Sequence, residues 1–288
     1  MEGVKETMTT ALYVVATPLG NLGDISLRAL QVLRGVDSIA CEDTRHTRHL
    51  LEHFEIRAPL LAVHQHNEEG AAQKLLQLLD AGKSVALVSD AGTPGICDPG
   101  ARVVNAVRGA GHRVVPVPGA NAAIAAVSVA GLADPYFLFC GFLPAKAAAR
   151  QQAIAALKEV PAALLFYEAP HRIVATVEDL LAQLGGQRQL LIGRELTKLF
   201  EETVRLPLSE APAWLAADEN RRRGEFVLLV AAPAPSAALP APALRTLQLL
   251  LAELPLKQAV KLAAAITGVA RNALYDQALA WRDEGESL

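Results

Sequence analysis

Cysteine is scarce in this 288-residue chain, with three copies, Cys41, Cys97 and Cys140. They are odd in number, far apart and in no C-x-x-C pair, which excludes a disulfide framework and a cysteine-built zinc site. Each lies in or beside an apolar segment and reads as a small buried hydrophobe. An excess of one charge is also missing: 27 Lys and Arg against 30 Asp and Glu leave a formal net charge of −3. That balance gives no global footprint for nucleic acid, so a polyanion would have to be held by local basic patches. The opening MEGVKETMTT has no apolar run and carries Glu2 and Glu6, so neither a signal peptide nor a transit peptide fits. One stretch, residues 114–133, lacks charge over a length that could span a bilayer. Pro116, Pro118, Gly119, Asn121 and Ser128 divide it into a strand end, a turn and a helix of small residues, so it reads as buried core. A soluble, cytoplasmic protein with no membrane association is expected.

What is present points to a globular α/β protein. Hydrophobic residues make up 52% and charged residues 20%, enough to bury sizeable cores, and the length favours about two domains. Apolar or β-branched runs at 12–16, 37–41, 60–63, 85–89 and 113–117 predict strands, and the stretches between them have apolar residues at helical spacing. That is a βα series with a mostly parallel sheet. After residue 134 the pattern restarts, with strands in YFLFCGF, ALLFYE, QLLIGREL, FEETVRLPL and FVLLVA and helices at about 145–158 and in IVATVEDLLAQLG. The last three strands have no long crossovers, which implies a mixed or antiparallel edge. Residues 231–243 are rich in Pro and Ala and predict a semi-rigid linker. Beyond it come helical segments with a turn centred on Gly268, a pattern shared by helix-turn-helix modules and plain αα-hairpins.

Several strand-end loops could carry chemistry. Gly20 and Gly23 in TPLGNLGD follow a strand and precede a helix, but the letters match neither G-x-G-x-x-G nor a Walker loop with its lysine. In SDAGTPGICDPG, Asp90 ends a strand where a ligand could donate to it, and Asp98 reads as a helix N-cap. PGANAAIAA is a third glycine turn, feeding a helix of small residues. CEDTRHTRHL brings Asp43, Arg45 and His46 to one strand end; His46, His49 and His53 share a helical face, with His64 and His66 nearby. No Cys or HExxH pattern supports metal there, and none is expected. Farther on, Glu168, His171, Arg172, Arg194, Glu195 and Lys198 stand at strand ends, and Arg221, Arg222 and Arg223 form a triple run suited to phosphate.

Taken in order and spacing, ATPLGNLGDIS, EDTRHT, LVSDAGTPGICDPG, VPGANAAIAA, GFLPAK, FYEAPHR, GRELTK and ENRRRGE closely resemble the ribosomal RNA small subunit methyltransferase I family, of the tetrapyrrole-methylase-like superfamily. The resemblance runs from about residue 11 to 283. It implies two α/β domains of the tetrapyrrole-methylase type with the cofactor cleft between them, and a small helix-turn-helix-like segment: 11–120, 121–232, a linker at 233–243, and 244–288. It further implies a homodimer that uses S-adenosyl-L-methionine to methylate the ribose 2′-oxygen of a cytidine in the decoding region of 16S rRNA, within the small ribosomal subunit. The superfamily's cofactor contacts fall on Pro18 and Leu19, on Ser89, Asp90, Ala91, Gly92 and Ile96, and on Asn121 and Ala122. Others fall on Glu168 and Ala169, on Leu196, and around Glu225 and Phe226. This chain replaces the superfamily's glycine-rich first loop by TPLGNLGD.

The residue chemistry agrees. S-adenosylmethionine has no phosphate, so its site needs small, neutral, backbone-rich loops and no lysine aimed at an anion. For the transfer itself, Asp43 or Glu195 is the expected general base, with Arg45, His46, Arg194 and Lys198 holding RNA phosphates or the reacting oxygen. The arginine run and the C-terminal helices are expected to dock rRNA. Two rivals stand beside this reading: a methyltransferase acting on tetrapyrrole carbons in the same fold, and a DNA-binding regulator built on the C-terminal helices. The second has only a thin basic supply in Lys257, Lys261 and Arg271.

Overall fold

The computed structural model describes residues 8–63, 68–234 and 239–285; His64 and His66, and residues 235–238 of the Pro/Ala stretch, lie outside them. The chain divides into two compact units, one ending at Pro233 and the other starting at Ala234.

The first unit holds two five-stranded sheets. In the first, β1 (Leu12–Val15), β2 (Ser38–Cys41), β3 (Leu60–Ala62), β4 (Val85–Leu87) and β5 (Val114–Val117) lie in the order β3-β2-β4-β1-β5. All pairs are parallel. The strands read as unbroken apolar runs because helices cover both faces. These are α1 (Leu27–Gly35), α2 (Thr44–His53), α3 (Glu68–Asp80) and α4 (Ala101–Gly109). Ser26 starts α1 by accepting the Ala29 N–H, and Ala29, Leu30 and Leu33 then fall on its buried face. The chain leaves β1 toward β2 and β3 on one side and returns through β4 to β5 on the other. The loops after β4, β1 and β5 therefore emerge side by side at the sheet's carboxyl edge, the position where such sheets form a crevice.

The uncharged stretch at 114–133 resolves into β5 and α5 (Ala122–Ala130), which starts at the Asn121 cap and ends at left-handed Gly131. No helix among the described residues is long and apolar enough to cross a membrane.

The second sheet runs β6-β7-β10-β8-β9. Strands β6 (Phe137–Phe142) and β7 (Ala163–Glu168) are parallel, and β10 (Phe226–Val230) is antiparallel to both β7 and β8 (Gln189–Arg194). Strand β9 (Glu202–Pro207) lies antiparallel on β8, giving the mixed sheet that the short connections imply. Small residues of α5, Ala123, Ala126 and Ala130, pack one face of it against Leu165, Leu191 and Leu229. The other face carries α6 (Ala147–Ala156) and α7 (Ile173–Leu184), joined by a buried ion pair. Arg150 Nε donates to Asp179 at 2.6 Å, and Gln151 donates to the other carboxylate oxygen at 2.7 Å. A short helix, α8 (Ala211–Ala216), lies between β9 and β10, where the sequence pattern assigned none.

Among the described residues the second unit holds three helices, α9 (Ala241–Glu253), α10 (Leu256–Thr267) and α11 (Arg271–Gly285), around Leu247, Val260, Ala263 and Leu274. Gly268, with φ of 71°, ends α10 where the turn was expected.

Candidate functional site: two cavities that share a wall

Hydrogen bonds tie the strand-end loops of the first sheet together. Thr17 N–H donates to the Gly92 carbonyl at 2.8 Å, Gly92 N–H returns a bond to Thr17 at 3.0 Å, and the Thr17 hydroxyl donates to the Ser89 carbonyl at 3.0 Å. Gly92 has φ of 78°, and a Cβ there would stand 3.2 Å from Leu19, so glycine permits the close approach of the two loops. The third loop is fixed by Asn121, whose side-chain oxygen accepts the Ile124 N–H at 3.1 Å. The second sheet locks on through Tyr167, whose phenolic oxygen accepts the Ala123 N–H at 3.1 Å.

Two cavities open over this frame. The first, of about 320 Å³, takes Leu19, Ala91, Gly92, Ile96, Asn121 and Ala122 from the first half of the unit. From the second half it takes Glu168, Ala169, Leu196 and Phe226. The second, of about 530 Å³, is lined by Thr17, Pro18, Gly20, His46, His49 and Asp90 among others. Leu19, Ala91, Lys198 and Glu225 line both, and so form the wall between them.

The remaining expected residues have other positions. Ser89 is buried and lines neither cavity; its hydroxyl reaches the carbonyls of Ala91 and Gly92 at 3.2 Å and shapes the loop. Asp43 caps α2 and grips Arg45, accepting from its backbone N–H and its Nη2 at 2.8 Å each. The side-chain and backbone bonds from Arg45 hold the Asp43 carboxyl far below the usual carboxylate range. Neither Asp43 nor Arg45 lines either of the two cavities, and Asp43 serves as the cap of α2. Asp90 accepts the Asp43 N–H at 3.1 Å and so fixes the start of α2, which carries His46.

Arg194 is paired with Glu202, Nη2 to Oε2 at 3.3 Å, and lines neither cavity. Glu195 lies beneath Lys198: its Oε1 accepts from Lys198 Nζ at 3.1 Å and from the Glu225 N–H at 2.8 Å. Burial presses the Glu195 carboxyl upward, but these bonds outweigh it and hold the group below its ordinary value. Lys198 also donates to Glu225 at 2.8 Å. Burial works against its charge, and the two carboxylates more than offset that, so the ammonium is retained.

Reading the letters alone missed Asp98, Phe142 and Tyr167, all of which line the first cavity. Asp98 is not an N-cap: α4 starts at Gly100, and the Asp98 carboxyl instead meets the Ser89 hydroxyl. It is pushed up to about 6, by burial first and then by Glu42 and Asp90. The register of β6 shifts between Phe139 and Gly141, next to Phe142. The glycine inside YFLFCGF was the available signal for that irregularity. The arginine run is partly committed elsewhere. Arg221 stacks on Trp214 at 4.4 Å and donates to its carbonyl, while Arg222 donates to the Leu215 carbonyl at 3.0 Å. Both close the end of α8. Among the described residues, no group of three or more His, Cys, Asp or Glu is placed to hold a metal ion.

Comparison with known proteins now gives this geometry its family. Residues 11–212 match the family described as Tetrapyrrole (Corrin/Porphyrin) Methylases, and residues 237–282 match the RsmI C-terminal HTH domain. The Ribosomal RNA small subunit methyltransferase I of Pseudomonas aeruginosa is 54% identical over 271 residues, covering 93% of this chain and 96% of its own. Among solved structures, a cobalt precorrin-4 methyltransferase superposes with a TM-score of 0.57 at 15% identity, over 76% of this chain and 94% of its own. A uroporphyrin-III C-methyltransferase from Thermus thermophilus, solved in complex with S-adenyl homocysteine, gives a TM-score of 0.52 at 19% identity, over 76% and 96%. At those identities the solved structures establish the fold alone. Sequence similarity over nearly the whole length goes further, and the chain belongs to the ribosomal RNA small subunit methyltransferase I family, with the fold of the tetrapyrrole methylases.

Proposed function

We propose that the chain transfers a methyl group from S-adenosyl-L-methionine to the ribose 2′-oxygen of a cytidine in 16S rRNA of the small ribosomal subunit. The cofactor occupies the first cavity and the target nucleotide the second. The observation that carries this reading is the shared wall of Leu19, Ala91, Lys198 and Glu225, because donor and acceptor must meet across one short passage. The substrate rests on the 54% identity to a relative named for that rRNA.

The first cavity suits a cationic, phosphate-free nucleoside. Lys198, which lines it, is paired with Glu195 and Glu225, while Ile96, Phe142, Leu196 and Phe226 offer apolar surface. Asp98 adds a carboxylate with acidic neighbours. A phosphate would find no unpaired lysine there. When bound, S-adenosylmethionine supplies a methyl group on positively charged sulfur.

The chain's own residues then have separable tasks. Glu195 and Glu225 hold the Lys198 ammonium at the shared wall, where it stabilises negative charge growing on the target oxygen. His46, on the second cavity, accepts the hydroxyl proton, since an imidazole can do so near neutral pH. Asp43 and Glu195, both held below their ordinary values by the groups they bond, position rather than abstract.

A second copy of the chain is the proposed partner. Exposed Ile124 and Val129 on α5 and Tyr136, Phe137 and Leu138 at the edge strand β6 supply an apolar strip for it. Cytoplasmic action on the small ribosomal subunit follows from the same substrate, with Arg223 and the C-terminal helices as its contacts.

Labelled methyl transfer to small-subunit particles from a strain lacking the enzyme, followed by mass mapping of the rRNA, tests the proposal. A single ribose-methylated cytidine is expected; label on a base, or none, contradicts it.

A further inference from the structure

Three carboxylates line the first cavity, and two are already answered by positive charge. Glu168 is buried, with Oε1 accepting from Ala169 N–H at 2.8 Å and lying 3.2 Å from Arg172 Nε, and Oε2 accepting from the Thr176 hydroxyl at 2.6 Å. Glu225 holds Lys198 at 2.8 Å. Asp98 differs. It is half-buried, the Ser89 hydroxyl bonds it, and the charged groups acting on it from the neighbouring loops are Glu42 and Asp90, both acidic. Cys97 and Tyr167, which line the same cavity, are also close enough to feel its charge, and neither can carry positive charge. Among the described residues, no Lys, Arg or His forms an ion pair with it.

We propose that Asp98 is the counter-charge for the cationic part of the cofactor, so that the first cavity selects a positively charged sulfur nucleoside over a neutral one of similar shape. The inference rests on the first cavity being the S-adenosylmethionine site. A carboxylate taken partly out of water among like charges is costly in its ionised form. An entering cation removes that cost, and a neutral ligand leaves it in place. Glu168 and Glu225 have no comparable pull to offer, because their charges are already satisfied within the fold. S-adenosylmethionine presents two cationic groups, its sulfonium and its α-ammonium, whereas 5′-methylthioadenosine keeps the nucleoside and the sulfur with neither.

The test is calorimetric titration of the full-length chain and of Asp98→Asn, at a pH well above the Asp98 titration, with S-adenosylmethionine, S-adenosylhomocysteine and 5′-methylthioadenosine. The Asn variant is expected to bind S-adenosylmethionine about tenfold or more weakly, the usual consequence of losing a charge-assisted contact. Its affinity for 5′-methylthioadenosine should stay within about twofold, below the free-energy change of a lost contact. Asp98→Glu, which keeps the charge, should retain part of the preference. A loss shared by S-adenosylhomocysteine assigns the contact to the ammonium, and a loss confined to S-adenosylmethionine assigns it to the sulfonium; both support the proposal. Equal weakening of all three ligands, or unchanged S-adenosylmethionine affinity, overturns it. Failure of the unaltered chain to bind any of the three would overturn the cofactor reading itself. Thermal melting separates misfolding from the effect: Asp98→Asn is expected to melt no lower than the parent, and a lower melting temperature counts against the account.

Discussion

Lys198 reaches two carboxylates, borders both cavities and lies across Gly20, where a Cβ would stand 2.5 Å from its Cγ. The bare backbone of Gly20 therefore makes room for the lysine stem, which is the task that glycine performs in a loop that fits no phosphate motif. His46 also lines the second cavity, and the proposal makes it the proton acceptor. His46→Gln should lower the single-turnover rate at saturating cofactor by about a hundredfold or more, with cofactor affinity unchanged. A near-normal rate would reassign the base. Asp98 carries a stability consequence with a definite sign. Its carboxyl is raised from 3.8 to about 6, so the folded chain holds that proton more tightly than the unfolded one. Stability from this group is present below the lower value and is lost as pH rises through the upper. Asp98→Asn, which cannot ionise, should raise the melting temperature of the cofactor-free chain above that window and leave it unchanged below. An Asn variant less stable at neutral pH would contradict this.

The turn after β8 shows what holds the shared wall in place. Glu195 and Thr197 both adopt left-handed backbone, at φ of 49° and 68°, a conformation that costs a non-glycine residue about 1 kcal/mol or more. Compensation comes from the Glu195 N–H bond to the Glu225 carbonyl at 2.9 Å and from Glu201, which accepts the Thr197 N–H. Nothing in the letters GRELTK announces that geometry, because the partners, Glu201 and Glu225, lie outside it, each just before a later strand. Helix α8 was invisible for another reason: six residues with Pro212 near its start are too few to show a helical period. Its far end is closed by Arg221 and Arg222, which explains two of three arginines that composition alone would assign to phosphate. Replacing both by alanine should lower stability by about 1–2 kcal/mol in a denaturant titration, through the lost carbonyl bonds and the Trp214 stacking, without changing cofactor affinity. An unchanged midpoint would return those side chains to the RNA.

Across the whole chain, legibility followed the range of the interactions concerned. The strands of both sheets, the parallel and mixed pairings, and the turn at Gly268 came from local periodicity and glycine placement, which the fold preserves. The lining of the first cavity from Leu19 to Phe226 was legible only through resemblance, since those residues meet because β7, β8 and β10 bring their ends to the loops of the other sheet. Asp98 was misread because D-P-G looks like a local cap, while its carboxyl is turned toward Ser89 in the loop that follows β4. The two cavities were not legible at all: the residues they share, Leu19, Ala91, Lys198 and Glu225, come from loops far apart in the chain. That shared wall is the centre of the account, and substitution of its charged donor, Lys198, is the most direct measurement. Lys198→Met should leave S-adenosylmethionine binding within about threefold while lowering single-turnover methylation of small-subunit particles by about a hundredfold or more, as expected for loss of a group that acts on developing charge. Methylation at the parent rate with that lysine gone would contradict the account.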